Sequence, residues 1–392
     1  MECAWGAEPP LDPLAAPLKA CGRAAAELVQ RADRLARSCG VPAGDAARRA
    51  AARILEHAGD PVAAAAALLG AARGRSEAPA SPEALRREFG PLLAGLAEAD
   101  PGGLTPPSDG EGDPRARLEA VLSAFAERPR LALLRLAYRL IELEDACDGR
   151  RGDGAALARE TLAFWVPIAD RLSLGGLRRR LEDLCFRLID PTGYEALRRR
   201  IAPIQAGDDR YLAALRGHVQ ELLAGNGIRA EIQTRTKSLH AIRRKMLRTG
   251  KKPEEIMDRL GVRVIVETVP ECYAVLGLIH TAFTPVPGTF DDYIGRPKEN
   301  GYQSLHTVVI PLRELSHKPV EFQIRTRRMH LVAELGSAAH WLYKNEEPPA
   351  EEDPAARRRL GMLLEEGRLA ESVAAFLERL GGGAPQPGEV AR

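Results

Sequence analysis

The sequence predicts a multidomain chain: an all-α N-terminal half followed by an α/β (α+β) domain built on a mixed sheet. Three observations carry this. The 392 residues exceed what one small core organises, so two or three domains are expected. From about residue 20 to 200 the chain is rich in Ala, Leu and Arg, with apolar residues at helical spacing. From about residue 208 the texture changes to short runs in which apolar and polar residues alternate.

Taken in order, residues 1–20 are Ala/Pro-rich and expected to be disordered, and residues 21–200 form the helical domain and its linker helices. Long helical runs are read at 46–72 and 118–143, with Pro/Gly breaks at 74–82 and 101–114. A helix at 211–223 should stop at Gly225-Asn226-Gly227. Strands are expected at 262–267, 303–310 and 320–326, interleaved with helices at 238–248 and 270–281, inside a domain spanning 201–346. Residues 347–392 read as a charged helix, about 354–380, and a disordered Gly/Pro tail.

Composition narrows the functional classes. A formal net charge of +2 gives no global basic field, so attraction to polyanions must come from local clusters. Six scattered cysteines without a CxxC pair suit a reducing compartment and argue against a disulfide framework or a zinc site. No stretch reaches the roughly 18 apolar residues of a membrane span, and no signal-peptide pattern opens the chain. A cytoplasmic protein is expected.

Three segments carry chemistry. Residues 235–252 hold Arg235, Lys237, His240, Arg243, Arg244, Lys245, Arg248, Lys251 and Lys252 without a carboxylate. On a helix, Leu239, Ile242 and Met246 would face a core, while Lys237, Arg244 and Arg248 point outward with Lys245 at the flank. That suits a polyphosphate, although a solvated basic face remains open; no interleaved aromatic favours nucleic acid. In the strand after Asp258, Val262, Val264 and Val266 share one face and Arg263 takes the other. In 320–326, Val320, Phe322 and Ile324 oppose Glu321, Gln323 and Arg325. If these strands are neighbours, Asp258 and Glu321 meet above one polar face as hard oxygen ligands for Mg²⁺, and one of them can accept a hydroxyl proton. Simple solvent exposure is the alternative. Between them, Pro297 and Gly301 bracket a loop offering Lys298, Asn300 and Tyr302: a cation, an amide and an aromatic plane, as a nucleotide needs.

The ordered segments RTKSLHAIRRKM, IMDRLGVRVIV, FDDYIGRPKENGYQSLHTVV, VEFQIRTRRMH and AELGSAAHWLYK resemble the synthetase domain of the RelA/SpoT family of alarmone enzymes. The resemblance is dense over 235–344 and weaker in ETLAFWVPIADRLSLGGLRRRLEDLCFRLIDP, which is similar to the family's linker after its hydrolase domain. It implies a nucleotidyltransferase-like domain that moves pyrophosphate from ATP to the 3′-hydroxyl of GDP or GTP with Mg²⁺. It further implies that Arg235, Lys237, Lys245 and Arg263 bind ATP, and that Asp258 and Glu321 bind metal, with Glu321 activating the acceptor. Tyr302 is implied to stack on guanine, with Lys298, Asn300, His306 and Gln323 around the acceptor nucleotide.

Departures from the family pattern matter as much. A His-Asp metal set is expected in the helical half, but Gly70-Ala71, Tyr138 and Ala47 stand at the corresponding positions, and none of these is a metal ligand of the usual set. His57 and Asp60 are nearby but off the motif. The hydrolase fold is therefore expected to persist without its activity. Asp291-Asp292 match synthetase-only members, which implies a preference for GDP weakened by Thr289. No C-terminal regulatory region is expected within this chain. Two alternatives stay open: a bifunctional synthetase/hydrolase, and a silent nucleotide- or RNA-binding regulator. Homo-oligomerisation is compatible with all three.

Overall fold

The computed structural model describes residues 12–75, 79–99, 113–256, 259–298, 301–311, 318–335 and 354–368. They form two compact units. One takes the described residues up to Leu181 together with the helix Pro354–Arg368, and the other takes those of Glu182–Ala333.

The first unit is helical throughout: α1 (Ala15–Ala20), α2 (Arg23–Ser38), α3 (Ala46–Ala58), α4 (Pro61–Arg73), α5 (Pro82–Glu98), α6 (Pro114–Glu127), α7 (Pro129–Cys147), α8 (Gly154–Glu160), a π turn (Thr161–Trp165) and α9 (Val166–Arg171). The two long runs expected from sequence are each a pair of helices. Gly59, at φ 59°, ends α3, and Asp60 then caps α4 by accepting from the Ala63 N–H at 3.0 Å. The second run breaks where Pro129 follows Arg128 and opens α7. Proline just inside a helix after a capping residue recurs at Ser81-Pro82 and Asp113-Pro114, which is how a chain so rich in Ala is cut into short helices. The Ala63–Leu69 stretch of α4 is wholly buried, so alanine here lets helices approach closely instead of merely supplying propensity. Helix Pro354–Arg368 packs on α6, with Arg357 Nε donating to the Glu127 carbonyl at 2.8 Å. No described helix is long and apolar enough to cross a membrane. The described cysteines Cys21, Cys39, Cys147, Cys185 and Cys272 are all free thiols.

Helix α10 (Gly175–Ile189) contains the boundary between the units. In the second unit come α11 (Pro191–Gly225), β1 (Glu231–Thr236), α12 (Leu239–Thr249), β2 (Leu260–Val266), α13 (Val269–Ala282), the short strands β3 (Thr284–Pro285) and β4 (Asp291–Asp292), β5 (Leu305–Ile310), β6 (Val320–Thr326) and α14 (Arg327–Leu335). The helix expected at 211–223 is the end of α11, which runs 35 residues through Pro203 to Gly225, with Gly227 at φ 72° just past its end. The sheet is mixed, in the order β1-β2-β6-β5-β3 with β4 on β5; β2 and β6 are parallel and the other pairs antiparallel.

One face of this sheet is the core. Leu260, Val262, Val264 and Val266 of β2 and Val320, Phe322 and Ile324 of β6 pack with Leu215, Val219 and Leu223 of α11 and Cys272, Val275 and Ile279 of α13. Since side chains alternate along a strand, every residue between these points to the opposite face. A second cluster (Phe186, Leu197, Ile201, Ile242 and Ile256, flanked by Tyr194, Leu239 and Met246) anchors α12.

Candidate active site

Register fixes what stands on the open face. Arg235, Gly261, Glu321 and Val308 form one row across β1, β2, β6 and β5; Gln233, Arg263, Gln323, His306 and Asp291 form the next, ending on β4. The expected adjacency of the β2 and β6 strands is therefore real. The structure brings Arg235, Arg263, Glu321, Gln323 and His306 onto one polar surface.

Glu321 is its hub. Its Oε1 accepts from His306 Nδ1 at 3.3 Å and its Oε2 from Gln323 Nε2 at 3.0 Å. Burial pushes its pKa up, but the His306 hydrogen bond and charge, the Lys237 ammonium and the Gln323 amide outweigh burial and hold it below the usual range. Glu321 is thus an ionised carboxylate at neutral pH. In the adjacent row, Arg263 is 6% exposed and donates to Gln233 Oε1 at 3.1 Å.

Lys237 reaches this site by a different route from the one expected. It does not lie on the helix: Ser238 is the N-cap of α12, and the Lys237 N–H donates to the Arg259 carbonyl at 3.0 Å, closing the end of β1. Leu239, Ile242 and Met246 do form the core-facing stripe of α12, with Ile242 fully buried and the other two partly so. The outward cations of that helix are partly neutralised by acids of α10 and of the α11 N-cap, far away in sequence. Arg244 pairs with Glu182 at 3.6 Å, Arg243 pairs with Asp190, and Asp183 accepts the His240 N–H at 2.9 Å. Lys245 is half-buried on α12, whose anchorage is the second cluster and not the sheet.

The loop after β4 supplies an aromatic corner. Tyr302 Oη lies 2.8 Å from His306 Nε2, and the rings of Tyr293, Tyr302 and His306 meet edge-to-face at 5.3–6.2 Å. Lys298 Nζ stands 4.3 Å from the Tyr293 ring centroid and 5.5 Å from that of Tyr302. Gly301, at φ 79°, turns the loop back: its N–H donates to the Lys298 carbonyl, and the Lys298 N–H donates to the Tyr302 carbonyl. Tyr293 was not singled out from sequence; its signal was a second aromatic flanking the same turn. Gln233 was missed because β1 was not recognised as a strand. Two expected site residues, Asp258 and Asn300, lie outside the described residues, so their places are not part of this geometry.

In the helical unit, Gly70, Ala71 and Tyr138 line one cavity of about 560 Å³ with Arg73, Arg135 and Glu142. Burial pushes the Tyr138 phenol far up, aided by Asp45, so it stays neutral. Asp60 is committed to capping α4 and to Arg130, 2.8 Å away. Among the described residues no three His, Cys, Asp or Glu side chains are grouped to hold a metal ion.

Residues 234–348 match the family model described as a region found in RelA / SpoT proteins, and residues 23–175 match an HD domain. Residues 234–348 are thus a region of the RelA/SpoT family. Among its relatives, a GTP pyrophosphokinase of Streptomyces coelicolor is 40% identical over 267 residues, 67% of this chain and 31% of that protein. A guanosine-3′,5′-bis(diphosphate) 3′-pyrophosphohydrolase of Aquifex aeolicus is 43% identical over 232 residues, 59% of this chain and 33% of that protein. The chain thus spans about a third of the length of the curated relatives it matches. A solved structure, the small alarmone synthetase 2 of Bacillus subtilis, is 26% identical and covers 41% of this chain and 88% of its own, at a TM-score of 0.30.

Proposed function

We propose that this chain is a cytoplasmic GTP/GDP pyrophosphokinase that transfers the β,γ-pyrophosphate of ATP to the 3′-hydroxyl of GDP or GTP and releases AMP. The observation that carries the reading is Glu321: an ionised carboxylate between His306 and Lys237, on a sheet face that also bears Arg235 and Arg263 and adjoins an aromatic, cationic loop. In the proposed reaction the acceptor 3′-oxygen forms a bond to the β-phosphorus, the bond from that phosphorus to the α,β-bridging oxygen breaks, and AMP leaves with that oxygen. Glu321 accepts the 3′-hydroxyl proton. Arg235, Lys237 and Lys245 neutralise charge on the phosphates, Arg263 flanks the adenine, and Tyr302 stacks on guanine beside Lys298, Asn300, His306 and Gln323. Positioning and electrostatics supply most of the rate in such transfers.

A single ionised carboxylate on a cation-lined face suits Mg²⁺, which takes one or two carboxylates and completes its shell with phosphate oxygens and water. Glu321 and Asp258 would hold it, and when bound it would offset charge on the transferred group. The deciding assay is thin-layer separation after incubation of the protein with Mg²⁺, γ-labelled ATP and GDP or GTP. Label should move to the guanine nucleotide with stoichiometric AMP; no transfer to either acceptor refutes the proposal.

Tyr302→Ala should raise the acceptor KM while leaving that for ATP near wild type, because stacking on one base contributes on the order of 1–3 kcal/mol, roughly 5- to 150-fold. Steady-state runs varying each nucleotide in turn will show it. The helical unit is proposed to have lost hydrolysis, since Gly70, Ala71 and Tyr138 occupy the cavity wall where the resemblance calls for metal ligands. Incubation of guanosine tetraphosphate with the protein and Mn²⁺ should release no pyrophosphate above the blank; release comparable to synthesis would make the enzyme bifunctional.

A further inference from the structure

We infer that Tyr273, which no step above uses, is a positioning residue for the acceptor loop, acting through Asp292; the inference rests on the proposed pyrophosphokinase reading. Tyr273 sits on α13, a rigid platform. Its neighbours Cys272, Val275 and Ile279 are each 0% exposed in the core, and a Thr268–Glu271 capping box fixes the first turn. The Tyr273 ring itself is 41% exposed and outside that core, so burial does not determine where it points. What it does make is one directed bond: its hydroxyl donates to Asp292 Oδ2 at 2.8 Å.

Asp292 spends its other oxygen on the start of the loop. Oδ1 accepts from the Ile294 N–H at 2.9 Å and the Gly295 N–H at 2.8 Å. A Cβ on Gly295 would stand 3.3 Å from Oδ2, so the carboxylate is seated tightly under the turn. Just beyond, the Tyr293 N–H donates to the Ser304 carbonyl at 3.0 Å, and Gln303 Nε2 to the Ile294 carbonyl at 3.2 Å. One carboxylate therefore couples a core helix to the segment that holds Tyr293 under the Lys298 ammonium. Without the phenol, Asp292 keeps its two backbone donors but loses its tie to the helix. Tyr293, Lys298 and Tyr302 then sample more orientations before the acceptor arrives, and ordering them falls on the binding step.

The test compares wild type with Tyr273→Phe, which keeps the ring and removes only the hydroxyl. The acceptor KM should rise about fivefold, the worth of one hydrogen bond at a partly exposed site. The ATP KM and kcat should stay within about twofold. Amide hydrogen exchange at Ile294 and Gly295 should quicken in the same variant. Asp292→Ala should show a larger acceptor effect, and adding Tyr273→Phe to it should change nothing more, because both act through one bond. Unchanged acceptor KM in Tyr273→Phe overturns the inference, as does an equal loss for both nucleotides, which would indicate general disturbance of the domain. Wild-type protein that makes no product with either acceptor instead overturns the pyrophosphokinase reading. Exchange at Ile294 and Gly295 then decides separately whether the strut exists.

Discussion

Glu321→Gln is expected to reduce synthesis by about 10³-fold or more, with the loss in kcat. The substitution preserves length and shape, so the sheet should be undisturbed; the other face of β6, with Val320, Phe322 and Ile324, is what the core holds. What disappears is the negative charge. His306 and Lys237 then face a neutral amide where they now hold an anion. An amide cannot take the acceptor proton, and it is a poorer ligand for a hard cation than a carboxylate. Single-turnover measurement of AMP release, with acceptor affinity from equilibrium binding, separates the two possibilities. If acceptor binding is retained and turnover is lost, Glu321 is part of the chemistry. Turnover near wild type would place the proton acceptor elsewhere and remove the core of the proposed mechanism.

The parts of this site that were legible in the sequence are those fixed by alternation. Val262/Arg263/Val264 and Glu321/Phe322/Gln323 put their polar members on one face because the other face packs into the apolar core, and both strands do this. Their adjacency is not written in either run; it comes from the register, which makes β2 and β6 parallel neighbours. β1 escaped notice because Glu231–Thr236 buries only Ile232 fully, too weak a signal for an edge strand. With it went the correct origin of Lys237, which spacing had assigned to a helix face. The neutralisation of Arg243 and Arg244 was equally hidden, since their partners Asp190, the N-cap of α11, and Glu182, on α10, lie beyond any local window. In the helical half, periodicity identified the helices but not their number. The breaks at Gly59-Asp60 and Arg128 take only one or two residues inside otherwise continuous helical patterns.

Gly261→Val should cut kcat/KM for ATP by roughly 10²-fold while leaving the folded domain intact, the scale expected when reacting groups are displaced by about 1 Å. Gly261 lies on the polar face of β2, in register with Arg235 on one side and Glu321 on the other. It is the one position of that row between the cation and the carboxylate that offers no side chain, and it is buried beneath the Arg235 stem, so Arg235 and Glu321 face each other with nothing between them. A Cβ there would stand 3.3 Å from Arg235 Cγ and 3.7 Å from the Glu321 carbonyl oxygen. Alanine needs only a small shift of the flexible arginine stem, so Gly261→Ala should lose no more than about fivefold. The two further methyl groups of valine stand between Arg235 and Glu321 and exclude what both must contact. Valine also favours an extended strand, so thermal unfolding should be little changed and the loss cannot be assigned to a weakened sheet. An undiminished kcat/KM for ATP in Gly261→Val would mean that the triphosphate does not cross this row, and Arg235 would have to be removed from the ATP-binding set.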